Sequence, residues 1–327
     1  MDFKVNSSDL LKAISHIHGV VEIRHTLPIL SNMIITAQNG NLKLCSTNLD
    51  IYCSDQVNAD ILSPGEISVS ASTFHEIVKR LPSGSDLHAT LDEEGSSLIL
   101  KCGRSKFNLT TMKTDDFPTI ADTDLDTKFI LSSTELIRMI DKTKFAISNE
   151  ETRYYLNGIF FHKTQKNSIE ILRAVATDGH RLAQYDIPLP QGAEEMTGII
   201  IPKKTILELR RVLDDANGDI NISLSDSKIK FTFNELTIIS KVIDGTFPDY
   251  TKVIPQNNNK LIATNNNELK AAIDRVSAVS ISEEVKSKAI KLTIESNKLI
   301  LSVESLSKGS AVEEVDINYS EDSIIKF

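Results

Sequence analysis

Three stretches of the chain share one pattern of apolar and polar positions. They begin at Phe3, Phe129 and Leu261, and each has an apolar run, a Ser/Thr/Asn turn, an acidic residue and then apolar residues three and four positions apart. This order predicts a short strand followed by an amphipathic helix, with the small polar residues as N-caps. The acidic residue stabilises the first turn because it meets the positive end of the helix dipole.

The same pattern predicts five helices, at 7–19, 72–81, 132–146, 203–215 and 266–280. The second and fourth follow later strands of the first two stretches, and their apolar residues Phe74 and Ile206 occupy corresponding positions. Pairs of strands are predicted after each helix, and Asn39-Gly40 between two apolar runs indicates a tight hairpin turn.

The chain is therefore built from repeats. The corresponding acids Asp9, Glu135 and Glu268 are 126 and 133 residues apart, a period too long for a solenoid unit. We expect an α+β fold of tandem domains, each with two helices packed on antiparallel β-sheets. The predicted domains are 1–126, 127–258 and 259–327, and the third contains only the first half of the repeat, so we expect it to be incomplete.

Composition limits the class of protein. With 327 residues, 40% hydrophobic and 25% charged, the chain is typical of a soluble globular protein with more than one domain. No apolar run approaches the roughly 20 residues that span a bilayer, and the N-terminus lacks the pattern of a secretory signal. The cysteines, Cys45, Cys53 and Cys102, lack metal-type spacing, which indicates reduced thiols and a cytoplasmic location.

The net charge of −9 argues against a nucleic-acid partner unless positive charge is concentrated on one surface. The predicted helices together carry +3, which leaves −12 for the rest of the chain. Two interpretations stay open. Lys and Arg near helix C-termini complement the helix dipole, or the helices share one surface that offers weak positive potential to phosphates.

Four segments carry a family resemblance: HTLPILSNM from His25, RYYLNGIFF from Arg153, VATDGHRLA from Val175 and KVIDGTFPDYTKVIP from Lys241. With them the whole chain resembles the bacterial DNA sliding clamp, the beta subunit of DNA polymerase III. The resemblance implies that the three similar domains of one chain form a crescent. Two such crescents would close head-to-tail into a homodimeric ring. Helices would line the hole, and double-stranded DNA would slide through it without sequence preference. No cofactor and no metal are expected.

The resemblance also assigns residues to three surfaces. The DNA-facing residues would be Arg24, Lys79, Arg80, Arg138, Lys142, Lys203, Lys204 and Arg210. The second surface would be a pocket that binds peptides of the polymerase catalytic subunit, the clamp loader and repair proteins. It would use Leu156, Thr177, Gly179, His180, Arg181, Leu182, Pro248, Lys252 and Val253. Lys252 stands at a position where Arg is common in the family. The dimer interface would include Phe107, Leu109, Ala278 and Val279.

Two other functions are compatible with parts of the sequence. Asp178 and His180 could serve a metal-dependent hydrolase, although no second His/Cys/Asp/Glu cluster lies nearby. A repeat adaptor with no DNA role is the other alternative. The usual hydrolase, nucleotide-binding and metalloprotease motifs are absent. The resemblance implies a non-catalytic subunit.

Overall fold

The structure is a computed structural model that describes residues 1–22, 27–121, 123–258, 260–280, 289–305, 309–319 and 323–326. The chain divides into two compact units, Met1–Pro248 and Asp249–Phe327. The first unit therefore holds the first predicted domain and the second one as far as Pro248. The domain boundaries predicted at 126 and 258, and the incomplete third domain, stay predictions.

Five α-helices form in the described residues, close to the predicted positions. They are α1 Ser7–His18, α2 Ala71–Lys79, α3 Ser133–Asp141, α4 Lys203–Val212 and α5 Asn266–Ser280. The predicted N-caps are confirmed, since the side chains of Asn6, Ser132 and Asn265 accept the first free amides of α1, α3 and α5. Short 3₁₀ helices cover Pro28–Ser31, Lys144–Ala146, Glu151–Leu156, Leu213–Asp215 and Tyr250–Val253.

The strands are all paired antiparallel. In the first unit they are β1 Asp2–Asn6, β2 Asn32–Gln38, β3 Asn41–Thr47, β4 Ile51–Asn58, β5 Asp60–Ser63, β6 Gly65–Ser70, β7 Asp86–Leu91, β8 Ser97–Cys102, β9 Ser105–Met112, β10 Thr127–Ser132, β11 Gly158–Lys166, β12 Ile169–Thr177, β13 Leu182–Pro188, β14 Ile199–Pro202, β15 Asp219–Leu224, β16 Lys228–Phe233 and β17 Leu236–Lys241. In the second unit they are β18 Lys291–Glu295, β19 Lys298–Ser305, β20 Gly309–Asp316 and β21 Ser323–Lys326.

One long sheet joins the first two predicted domains, here called the first and second modules. Its order is β10-β15-β16-β17-β4-β3-β2-β6-β9-β8-β7-β1-β5, so β17 of the second module pairs directly with β4 of the first. A four-stranded sheet β13-β12-β11-β14 completes the first unit, and β20-β19-β18-β21 forms the second. Sequence patterns miss this joint because the paired strands are about 190 residues apart.

The helices bury their apolar faces against these sheets. In the first unit Phe3 of β1, Leu10 and Ile14 of α1 and Phe74 of α2 are fully buried in one core. In the second unit Ala272 and Val276 of α5 pack in a separate core with residues of β18–β20. The predicted α+β class is thereby confirmed.

The hairpin predicted at Asn39-Gly40 is also confirmed. Both residues have positive φ, +51° and +76°, and they connect β2 to β3 with Gln38 opposite Asn41. Positive φ at both positions defines the type I′ turn that matches the strand twist.

Candidate functional site

Three exposed cations lie at the C-terminal ends of two helices. Lys79 is the last residue of α2, Arg138 lies in the last turn of α3, and Lys142 is its C-cap. Within the described part of the chain, none of the three side chains has a hydrogen-bond or ion-pair partner. These positions complement the helix dipole and also leave the charges available to a phosphate.

Two predicted DNA-facing lysines at the start of α4 have partners inside the protein. The Lys203 ammonium donates to the side-chain oxygen of Asn149, and the Lys204 ammonium pairs with the carboxylate of Glu22. Because Glu22 precedes β2 in sequence and α4 belongs to the second module, the Lys204 pair links the two modules.

Arg210 is mainly a cross-link between α3 and α4. Its side chain is 22% exposed, with Nε 3.0 Å from Asp141 and Nη1 2.7 Å from Asp214. Burial alone would raise the pKa of Asp141, but the hydrogen bonds from Arg210 and Lys144 outweigh it and hold that pKa below its ordinary value. The first role of Arg210 is therefore structural.

The remaining two predicted DNA-facing residues are Arg80 and Arg24. The Arg80 guanidinium, just after α2, pairs with the Glu76 carboxylate and donates to the Glu76 carbonyl oxygen at 2.9 Å. Arg24 lies outside the described residues.

A tight turn holds the residues Thr177–Arg181 between β12 and β13. The Thr177 hydroxyl donates to the carbonyl of Arg181 at 2.7 Å and accepts from the amide of Gly179 at 3.1 Å. Gly179 has φ +88°, a left-handed conformation that favours glycine. Thr177 is buried, and His180 and Arg181 are presented at the surface.

Asp178 stabilises this turn. Its Oδ1 accepts from the amides of His180 and Arg181, both at 3.0 Å, and its Oδ2 accepts from Arg181 Nε at 3.0 Å. Burial would raise the pKa of Asp178, but these hydrogen bonds lower it below its ordinary value. No group of three or more His, Cys, Asp or Glu is placed to hold a metal ion among the residues that the structure describes. The hydrolase interpretation thus has no ligand set there.

An exposed aromatic ring lies beside the turn, and sequence reasoning missed it. Phe145 is 55% exposed with the Arg181 guanidinium 5.8 Å from its ring centre. A second exposed ring, Tyr154 at 54%, lies near Gly245. Arg153 comes within 2.8 Å of the position that a Cβ on Gly179 would occupy. Because the pattern of apolar residues does not distinguish an exposed Phe from a buried one, only the structure identifies this surface.

The other predicted pocket residues differ in exposure. Leu156 is 4% exposed and Leu182 is half-buried. Pro248 is exposed at the end of the first unit. In the second unit, Lys252 Nζ lies 2.9 Å from the Asp249 carboxylate, and Val253 is 68% exposed, an unusual fraction for an apolar side chain.

Strand β9 has an open edge. Residues 105–110 pair with β8 on one side, whereas β6 reaches only Thr111 and Met112 on the other. In the described residues, no strand covers the second edge of 105–110. Such an edge can accept a further strand.

Phe107 lies on this strand and lines a groove of about 480 Å³ with Ile77, Leu81 and Pro82. Leu109, also on β9, is 7% exposed and packs in the core. Ala278 and Val279 lie in the last turn of α5, and Ala278 is exposed. Three of the four predicted interface residues therefore keep some accessible surface.

Tandem α+β modules with paired helices, joined through one continuous sheet, define the DNA-clamp class of folds. Three family models match the chain: DNA polymerase III beta subunit N-terminal domain at residues 1–121, central domain at 130–249 and C-terminal domain at 251–326. The chain belongs to the DNA polymerase III beta subunit family, the bacterial sliding clamps. It is a non-catalytic processivity factor of DNA replication whose partners are DNA and the polymerase.

Individual relatives agree with this assignment. The beta sliding clamp of Caulobacter vibrioides NA1000 is 42% identical over 98% of this chain and 85% of its own length, and that of Escherichia coli K12 is 32% identical over the same shares. The crystal structure of the Bartonella birtlesii sliding clamp bound to griselimycin superposes with a TM-score of 0.94 at 41% identity, covering 100% of this chain and 87% of that one.

In the described part of the chain, no helix combines the length and apolar character that crossing a membrane requires. Cys45, Cys53 and Cys102 all lie in that part, and each is a buried free thiol.

Proposed function

We propose that two copies of the protein close head-to-tail into a ring around duplex DNA, with the helices toward the duplex and the sheets outside. The main support is the set of exposed cations on consecutive modules, Lys79, Arg138 and Lys142, in a chain that is otherwise acidic. A few free charges hold phosphates weakly and at any sequence, which permits sliding. The acidic remainder repels DNA from the outer face.

We assign the three free cations the leading part in DNA contact. Arg24, Arg80, Lys203, Lys204 and Arg210 belong to the same proposed surface. Those with partners, such as Lys204 on Glu22, must exchange a carboxylate for a phosphate to take part. Their contribution per residue is therefore smaller.

Peptides from the polymerase catalytic subunit, the clamp loader and repair proteins are the proposed ligands of the turn Thr177–Arg181 and its surroundings. An exposed ring at Phe145 and a fixed cation at Arg181 offer an apolar anchor with a polar rim. Leu156, Gly179, His180, Leu182, Pro248, Lys252 and Val253 complete the proposed set. We place the protein in the cytoplasm, where replication proteins and reduced thiols are found together.

A test of the ring uses a nicked circular duplex onto which the protein is loaded by a clamp loader and ATP. We expect the protein to stay with the circle through gel filtration at about 0.2 M salt, where simple phosphate binding is weak. Cutting the circle once should release it, because a ring slides off a free end. Equal retention on circular and linear DNA would contradict encirclement.

A triple variant in which Gln replaces each of Lys79, Arg138 and Lys142 should bind DNA more weakly. The salt dependence of its binding should also be smaller. Each lost phosphate contact lowers the slope of log K against log salt by about 0.9, so the triple variant should lose about 2–3 units of slope. Fluorescence anisotropy with a short duplex measures both.

The matched control replaces Lys4, Lys43 and Lys101, three exposed lysines on strands, with Gln. It makes the same change in net charge away from the helices. If both triple variants change the slope equally, the effect belongs to total charge and the helical surface has no special role.

A further inference from the structure

A histidine bridges two carboxylates across the joint between the first two modules. His16, in the last turn of α1, has Nδ1 2.6 Å from Asp55 Oδ2 of β4 and Nε2 2.9 Å from Asp215 Oδ2. Asp215 ends the 3₁₀ turn after α4, in the segment matched by the central-domain family model, whereas His16 and Asp55 lie in the N-terminal one. The imidazole thus joins one module to the next.

This geometry requires a charged imidazole. A neutral histidine has one N–H and one lone pair, so it can donate to only one carboxylate. The second carboxylate would then face a lone pair at hydrogen-bond distance, which is repulsive. Burial alone would lower the pKa of His16, but the hydrogen bonds and charges of Asp55 and Asp215 raise it above the ordinary value.

The two arms of the bridge are unequal. The Asp55 side chain is 8% exposed and its Oδ1 also accepts the Gln56 amide at 2.7 Å, whereas the Asp215 side chain is 48% exposed. Without His16, Oδ2 of the buried Asp55 would lose its hydrogen-bond donor, which is costly. The exposed Asp215 carboxylate can be hydrated instead. When His16 loses a proton, the remaining N–H therefore stays with Asp55 and the arm to Asp215 is lost.

Other charged groups surround the imidazole without replacing this arm. Lys12 Nζ lies 4.0 Å from Asp215, and the Arg211 guanidinium donates to the carbonyls of Ser15 and His16. A cleft beside His16 is lined by the charged residues Asp9, Lys12, Asp55 and Glu235. The other titratable or charged groups around the imidazole are Cys53, Glu208, Arg211 and Asp215.

We propose that His16 is a proton-dependent latch between the first two modules, closed when the imidazole is charged and open on the Asp215 side when it is neutral. A group whose pKa is raised on folding contributes fully below its unfolded value, about 6.5 for histidine, and loses that contribution as pH rises through the folded value. The latch therefore loosens as the pH rises through the folded pKa of His16, which lies above the ordinary value. It concerns the joint itself and holds whether or not the protein encircles DNA.

The test follows the full chain by NMR with labelled histidine rings and by amide hydrogen exchange, corrected for the pH dependence of chemical exchange. We expect the His16 ring to titrate at a higher pH than an ordinary histidine, whose pKa is about 6.5. Exchange at the Ala216 amide, which donates to Leu213 O at 3.1 Å, should rise several-fold between pH 6.5 and 8.5. Asp215→Asn should lower the titration midpoint of His16 and make exchange fast at both pH values.

His16→Gln should remove the pH dependence of exchange. His88→Gln is the matched control, because His88 pairs with a single carboxylate, Asp2, on neighbouring strands of one module. It should leave the His16 titration and the Ala216 exchange unchanged. A wild-type His16 ring that titrates at or below the ordinary histidine value, or Ala216 exchange that is independent of pH, would overturn the proposal even if a variant fails to fold.

Discussion

Phe74→Ala is expected to lower the free energy of unfolding of the first unit by about 3–5 kcal/mol. The ring is fully buried on α2, and its loss removes apolar burial and leaves a cavity that the surrounding strands cannot fill. Ile206, at the corresponding position of α4, is also fully buried, and Ile206→Ala should cost about 2–5 kcal/mol. Urea unfolding of the full chain measures both.

Ser72→Ala is the control for these two variants. Ser72 lies on the exposed side of α2, so its replacement should change stability by only about 0.5 kcal/mol. If Phe74→Ala were as mild as Ser72→Ala, α2 would not be anchored in the core as described. A mild Ile206→Ala beside a severe Phe74→Ala would show that the two modules are not packed alike.

The second large effect is expected at the proposed ring contact. Phe107→Asp should weaken self-association about 30-fold or more, because it replaces the aromatic ring beside Ile77 and Leu81 with a charge at the open edge of β9. Sedimentation velocity over a range of concentrations measures the change. The variant should also lose its retention on circular DNA. Because Phe107 is partly buried against the core of the first unit, thermal unfolding is measured as well, and association is compared where both proteins are folded.

Asn108→Asp provides a matched charge on the same strand. Successive side chains of a strand point to opposite faces, so this exposed neighbour lies away from the groove. It should associate almost as the wild type does. Equal weakening by both variants would indicate general charge repulsion, and no weakening by Phe107→Asp would exclude the groove from the interface.

Local features of the fold follow directly from the sequence. The N-caps Asn6, Ser132 and Asn265, the type I′ turn at Asn39-Gly40 and the burial of Phe74 and Ile206 each depend on a few neighbouring residues. Such signals survive folding because the tertiary structure does not oppose them. The repeat made the α+β class predictable for the same reason.

Contacts between distant residues could not be predicted this way. The pairing of β17 with β4, the Arg210–Asp141 bridge and the His16–Asp215 hydrogen bond join residues that no periodicity connects. Charge counting treated Lys204 and Arg210 like Lys79, although the first two have carboxylate partners. Which cations are free is decided by these distant partners.

The register of β17 on β4 also has a mechanical consequence. Four residue pairs, from Thr237 opposite Ser54 to Ser240 opposite Ile51, connect the two modules through backbone hydrogen bonds. A force that slides one strand past the other loads these bonds in parallel, so they must break together. The four pairs therefore resist sliding of one module along the other, even when the His16 hydrogen bond to Asp215 is lost.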